Sequence, residues 1–306
     1  MRILGISPGH DSSICVINDG EIEFFAKEER FSRIKRDAFP FIVLDLVAER
    51  FRSIDQVTYA WHPNDCEKFE SMNAYVHKKF NLPITVITSG ETHHLAHAAG
   101  TFYASGFERA LVVVIDRDGS IHENTWRNFY HSHEEKGGRE AESVYDCSYP
   151  SVFKCLYKNY WTHETFSIAK KYEAATTLIG ENCLEGGKTM GLAAYGSKDK
   201  LPEPIRAFID VVANSYYVEQ LPDCKFYFDP LADDSGTSIG AALSLYYKIT
   251  QDSKSHPFQN NFYHFYENCF NQYGKAASIK DVLKLLLDQQ IVALFEGAPE
   301  AGPRAL

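Results

Sequence analysis

Long hydrophobic runs are missing from this chain. The longest apolar strand-like stretch is Ala110 to Ile115, far short of the ~20 residues a membrane helix needs, so no membrane partner is expected. Blocks of Lys and Arg are missing too. With 31 Lys and Arg against 41 Asp and Glu, the formal net charge is −10. That excludes a general nucleic-acid binder, which would have to neutralise a run of phosphates, and leaves only a local basic pocket open. The seven cysteines include no Cys-x-x-Cys pair and read as reduced thiols filling small core positions. Met1-Arg2-Ile3-Leu4-Gly5 runs too soon into Ser7, Pro8, His10 and Asp11 for a signal peptide, and the expected compartment is the cytoplasm. No linker or low-complexity segment divides the chain, so its parts should pack closely. At 306 residues, 44% hydrophobic and 24% charged, the composition is that of a globular protein with one large or two mid-sized cores.

Apolar periodicity gives a coarse α/β order. Arg2–Ser7 and Ser12–Ile17 read as strands, and Asn18-Asp19-Gly20 turns the chain into a third, Glu21–Lys27. Helical spacing follows over Phe41–Phe51, a strand over Val57–Trp61, a helix over Asp65–Phe80 and a short strand over Ile84–Ile87. Thr92–Tyr103 reads as a helix. Ala110–Asp116 then starts a second hairpin, with Arg117-Asp118-Gly119 as its turn and Ser120–Asn128 as the returning strand. Two hairpin starts of this form suggest an internally duplicated α/β protein. His131–Tyr149 is polar and reads as a loop. Helices are expected over Ser167–Leu178, over Ile239–Tyr247 entered through Ser235-Gly236-Thr237, and over Ile279–Leu287 capped by Ser278, with a strand over Ile291–Phe295. His256–Gln272 is aromatic and without a clear pattern.

Thr92-His93-His94-Leu95-Ala96-His97-Ala98 carries the strongest chemical signal. On a helix, His93 and His97 share one face, where two imidazoles can grip a transition-metal ion and Asp116, at the end of a strand, can add a carboxylate. The other reading is a set of ordinary polar residues on a half-buried helix. Gly9-His10-Asp11-Ser12-Ser13 is either an anion-accepting turn in which His10 serves as a general base, or a hairpin turn with a surface histidine. Glu28-Glu29-Arg30-Phe31-Ser32-Arg33 with Lys35 and Arg36 is a solvated edge or a cationic contact to a phosphate-bearing ligand. Glu185 to Gly196, with Gly186, Gly187 and Lys188, lacks phosphate-binding P-loop spacing. It offers either backbone donors with Lys188 as a point charge, or a glycine-rich surface turn. In Asp233-Asp234-Ser235-Gly236-Thr237, one carboxylate can cap a helix and the other face a metal.

Taken together and in order, these motifs resemble the NodU/CmcH-type O-carbamoyltransferases. The matching pieces also include Gly240-Ala241-Ala242 and Gly302-Pro303-Arg304-Ala305-Leu306. The resemblance implies a duplicated actin/Hsp70/sugar-kinase-like (ASKHA, RNase H-like) α/β fold, with mixed sheets and helices on both faces. Its first subdomain would span residues 1–108 and its second, shortened, residues 109–306. It implies transfer of a carbamoyl group from carbamoyl phosphate, through an ATP-derived carbamoyl adenylate, to a hydroxyl of a small-molecule acceptor. His93, His97, Asp116 and Asp234 fall on the family's metal ligands, with iron, or else Zn, Mn or Mg, as the divalent ion. His10 falls on the proposed base and Lys35 on a contact to the carbamoyl adenylate. Lys188 and Gly187 belong to the cofactor-binding stretch.

Three departures set further expectations. The chain ends within Gly302–Leu306, where the family continues into a YrdC-like half, so a YrdC-like domain or subunit is the implied partner. The stretch from Gly196 to Ala213-Asn214 is short and carries Pro204-Ile205-Arg206, where relatives have a small anion loop. Arg117 stands where glycine is usual, and its side chain is expected to crowd the metal. A degenerate or split member, binding metal and nucleotide without turnover of its own, is the alternative.

Overall fold

In the computed structural model, residues 1–61, 69–86, 92–121, 138–161, 167–193, 195–196, 223–256 and 275–292 are described. Arg2–Ser7 (β1) and Ser13–Asn18 (β2) are apolar on both faces and buried along nearly their whole length. Such continuous burial belongs to inner strands. Asp19 and Gly20 both take positive φ, 49° and 85°, the geometry of a tight hairpin turn into Glu21–Lys27 (β3). Glu29–Ser32 (α1) is a single turn. Phe41–Arg50 (α2) follows, its first N–H groups at Ile42 and Val43 held at 2.9 Å by the buried Glu28 carboxylate. Gln56–Tyr59 (β4), Phe69–Phe80 (α3) and Ile84–Val86 (β5) complete the first sheet, in the order β3-β2-β1-β4-β5. The first three strands are antiparallel; β4 joins β1, and β5 joins β4, in parallel.

The chain then enters His93–Ser105 (α4) and Arg109–Ile115 (β6). Here one expectation is corrected. The antiparallel partner of β6 is Arg139–Ser148 (β7), inside the stretch read as a loop. Of the expected returning strand Ser120–Asn128, Ile121 makes one isolated bridge to Arg139, and residues 122–130 lie outside the described residues. The loop reading failed because Glu140, Glu142 and Ser143 are polar yet buried, which removes the apolar alternation that marks a strand. Val152–Trp161 (β8) completes an antiparallel sheet in the order β6-β7-β8.

Ile168–Leu178 (α5) is capped by Ser167, which accepts from the Lys170 N–H at 3.1 Å. Gly186–Ala193 (α6) is a helix, which corrects the alternative of a glycine-rich surface turn. A short 3₁₀ turn, Asp234–Gly236, leads into Thr237–Thr250 (α7). Ile279–Leu287 (α8) carries the capping box of Ser278 and Asp281. The expected strand Ile291–Phe295, Pro204-Ile205-Arg206, Ala213-Asn214 and the Gly302–Leu306 motif lie wholly or mostly outside the described residues.

The layers follow from burial. Leu4, Ile6, Val16 and Phe24 on one face of the first sheet pack against Val43, Leu44 and Val47 of α2 and Met72 and Val76 of α3. On its other face, Ile3, Cys15, Ile17 and Phe25 share a core with α4, α7 and the inward side chains Val112, Val114, Tyr145 and Cys147 of the second sheet. Helices α4 and α7 therefore lie between the two sheets. The outward side chains of β6, Leu111, Val113 and Ile115, are 66%, 61% and 47% exposed.

The architecture is thus mixed α/β, with one mixed and one antiparallel sheet. Both sheets begin as three-strand antiparallel meanders. Among the described residues the second sheet has three strands against five in the first, which does not establish the expected duplication.

Candidate metal centre

Close backbone approach sets the site. Gly240 on α7 lies so near α4 that an added Cβ would sit 1.8 Å from the Ala96 carbonyl oxygen. Gly5 on β1 meets α7 as tightly, with a Cβ 2.1 Å from the Ser238 oxygen. Only residues without side chains allow such a seam. It brings the turn before α7 against the first turn of α4.

That first turn is pinned from the second sheet. The Ser120 hydroxyl oxygen lies 3.3 Å from the N–H groups of both Thr92 and His93. The buried Glu140 carboxylate on β7 accepts the N–H groups of Ser120 at 3.0 Å and His94 at 3.4 Å and is paired with Lys158 of β8. A helix N-terminus presents unpaired donors, and a buried carboxylate there satisfies them.

His93 and His97 lie on one face of α4 with their Nε2 atoms 3.2 Å apart. Asp116, just past β6, places Oδ2 3.1 Å from His93 Nε2. Asp234 places Oδ1 3.6 Å from the Nε2 of both histidines. One donor atom from each residue lies within 4.8 Å of all the others. His93 is fully buried, with the Trp61 ring 4.4 Å away.

The two adjacent aspartates separate their tasks. Asp233 accepts from the Ser235 N–H and pairs at 2.7 Å with the buried Lys27, while Asp234 faces the histidines. Burial works against charge on His93, yet Asp234 and the bond to Asp116 outweigh it and hold the imidazole up at about 10. Burial would likewise raise both aspartates, but the histidines hold Asp116 and Asp234 below the usual carboxylate range.

The donor set suits a divalent ion. Bonds of about 2.0–2.2 Å from nitrogen and oxygen to one ion put neighbouring donor atoms roughly 3–3.5 Å apart. The spacings of 3.1 to 3.6 Å seen here agree with that. Two imidazoles and two carboxylates fit iron, manganese or zinc.

His10 stands beside this cluster, half-exposed, with Nε2 3.6 Å from Asp234 Oδ2. Its Nδ1 is 2.8 Å from Asp11 Oδ2, a bond that raises the imidazole against the effect of its burial. Lys35 and Lys188 lie elsewhere in the contact pattern. Lys35 is 3.5 Å from Glu185, and Lys188 is 3.9 Å from Glu185 and 2.9 Å from Glu181. Gly187 sits in the first turn of α6. The structure thus joins the Lys35–Arg36 motif to the Glu185 motif, two stretches far apart in sequence.

Arg117 does not crowd the cluster. Its guanidinium is held by Glu173 of α5, at 2.8 Å, and by Asp118, while its backbone N–H donates to Asp116 Oδ1 at 2.6 Å. No pattern in the sequence announced that acidic pair, Glu173 on α5 and Asp118 in the turn. It also concealed Glu140, Lys27 and His94, whose roles depend on distant strands; the doubled His93-His94 was the only available hint.

A family model described as "Carbamoyltransferase N-terminus" matches residues 66–220, half of the chain. The match contains His93, His97 and Asp116. An uncharacterized protein of Methanocaldococcus jannaschii is 27% identical over 201 residues, covering 65% of this chain and 34% of that protein. An uncharacterized protein of Synechocystis is 25% identical over 437 residues of alignment, covering 100% of this chain and 70% of that protein. The chain thus spans about a third of the archaeal relative's length. With half of the chain, and three of the four clustered side chains, inside the family match, this chain belongs to the carbamoyltransferase N-terminus family.

Proposed function

We propose that this chain is the metal-binding, acceptor-activating part of an O-carbamoyltransferase that carbamoylates a hydroxyl of a small molecule. The observation that supports it is the convergence of His93, His97, Asp116 and Asp234, with His10 alongside, in a chain of this family. In this reading those four residues hold one divalent ion, which when bound supplies positive charge to phosphate oxygens and polarises the donor. His10 Nε2 takes the proton of the acceptor hydroxyl, with Asp11 holding the opposite ring nitrogen. The acceptor oxygen bonds to the carbamoyl carbon, the carbon–oxygen bond to the adenylate phosphate breaks, and AMP leaves. Lys35, with Lys188 and Gly187, serves the nucleotide side. A YrdC-like domain or subunit makes the carbamoyl adenylate from ATP and carbamoyl phosphate. The two ASKHA-like subdomains, 1–108 and 109–306, and a cytoplasmic setting belong to the same reading.

Purified chain offered Fe(II), Mn(II) or Zn(II) should carry about one ion per chain, lost in His93→Ala and in His97→Ala. Equal metal content in wild type and both variants would overturn the assignment.

The engagement of Lys35 and Lys188 with Glu185 favours a second reading, a member that binds its ligands without turnover of its own. Calorimetric binding of a non-hydrolysable ATP analogue and carbamoyl phosphate, without transfer of labelled carbamoyl group even after a YrdC-like subunit is added, selects it.

A further inference from the structure

We infer that His94, the middle histidine of the motif, is a positioning residue that aims the Asp116 carboxylate at the metal centre. This rests on the metal-centre reading above. The His94 side chain is fully buried. Its Nδ1 lies 2.7 Å from the Ser143 hydroxyl on β7. Its Nε2 is sealed from solvent without a hydrogen-bond partner, and Asp116 Oδ2 lies 3.7 Å from it. Facing a carboxylate, Nε2 carries the ring hydrogen, and the Ser143 hydroxyl then donates to Nδ1; this assignment follows from the partners. A buried N–H is costly to leave unpaired, and a shift of a few tenths of an ångström closes the gap to Asp116.

The surroundings are built around that ring. Gly119 has no side chain where one would collide: a Cβ there would lie 2.7 Å from His94 Cδ2 and Nε2 and from the Glu140 Cβ. Glu140 takes the His94 backbone N–H at 3.4 Å. Asp116 is steered from both ends, because Oδ1 accepts the Arg117 N–H at 2.6 Å while Oδ2 lies between His93 and His94. A ligand carboxylate fixed in this way binds metal without first losing rotational freedom, and groups that orient ligands are typically worth 10–100-fold in affinity.

Titration of the full chain with Co(II), followed by visible absorption, tests this. His94→Phe keeps the bulk and removes the donor; His94→Gln returns an N–H near the Nε2 position; Ser143→Ala removes the group that fixes the ring hydrogen. Each variant should still take one Co(II). His94→Phe should bind about 10- to 100-fold more weakly, Ser143→Ala several-fold more weakly, and His94→Gln should regain most of the loss. Near-ultraviolet circular dichroism identifies folded variants, and Ser143→Ala decides the matter should His94→Phe not fold. Affinities of the folded removal variants within about twofold of wild type, or a His94→Gln as weak as His94→Phe, would overturn the inference. A wild type that takes no Co(II), or a His93→Ala that binds as wild type does, overturns the metal centre itself and this inference with it.

Discussion

Asp233 and Asp234 are neighbours in sequence with different electrostatic duties. Lys27 claims the first and the histidine pair claims the second. The second duty has a pH signature. His93 sits at about 10 in the fold against an ordinary 6.5, so the stability its proton supplies is complete below pH 6.5 and is lost as pH rises through 10. Asp116 and Asp234 are lowered, so their share is present above the ordinary 3.8 and is lost as pH falls through their lower folded values. Thermal melting of metal-free protein should therefore peak at about pH 5–6 and decline toward pH 10, and His93→Gln should flatten that alkaline limb. A flat wild-type profile from pH 6.5 to 10 would contradict the pairing. Of these residues, His93 and His97 were legible because helical spacing alone puts them on one face. Asp116 was visible as a carboxylate ending a strand, but Asp234 joined the set through the ordered motifs, and no local pattern announces which distant side chains it meets.

Elements were legible where apolar periodicity tracks burial, as in β1 to β3, α2, α4 and α7. Strand β7 was not, because its buried side chains are polar ones that serve other elements: Glu140 holds the start of α4, Ser143 holds His94, and Glu142 accepts the first N–H of α5 at 2.7 Å. Helix α6 was hidden by its glycines, which are weak helix formers. The seam between α4 and α7 is the element-level contact on which the site depends. In Gly240→Ala the new methyl would meet the Ala96 carbonyl and, at 2.8 Å, the Gly100 nitrogen. Both are backbone atoms that cannot swing aside, so the helices must part. We expect a loss of about 3 kcal/mol or more in urea denaturation, with weakened metal binding. A change below about 1 kcal/mol would mean that the seam has slack.

At the scale of the whole molecule, α/β alternation was readable, but the layering was not, since it depends on which faces meet. The first sheet is covered on both sides, by α2 and α3 outside and by α4 and α7 within. The second sheet turns Val112 and Val114 inward and leaves Leu111, Val113 and Ile115 exposed on an edge strand of the described sheet. Apolar side chains exposed on an edge strand make it adhesive toward other strands, and the one charge on this strand's outward face, Arg109, stands at its start. Concentrated solutions should therefore associate reversibly. Val113→Lys should raise the concentration at which light scattering still reports monomer, with metal content unchanged. No gain in monodispersity would show that this face is shielded. On that expectation, the strand that brings Asp116 to the histidine cluster would also set the ceiling on how much of this protein stays dispersed in water.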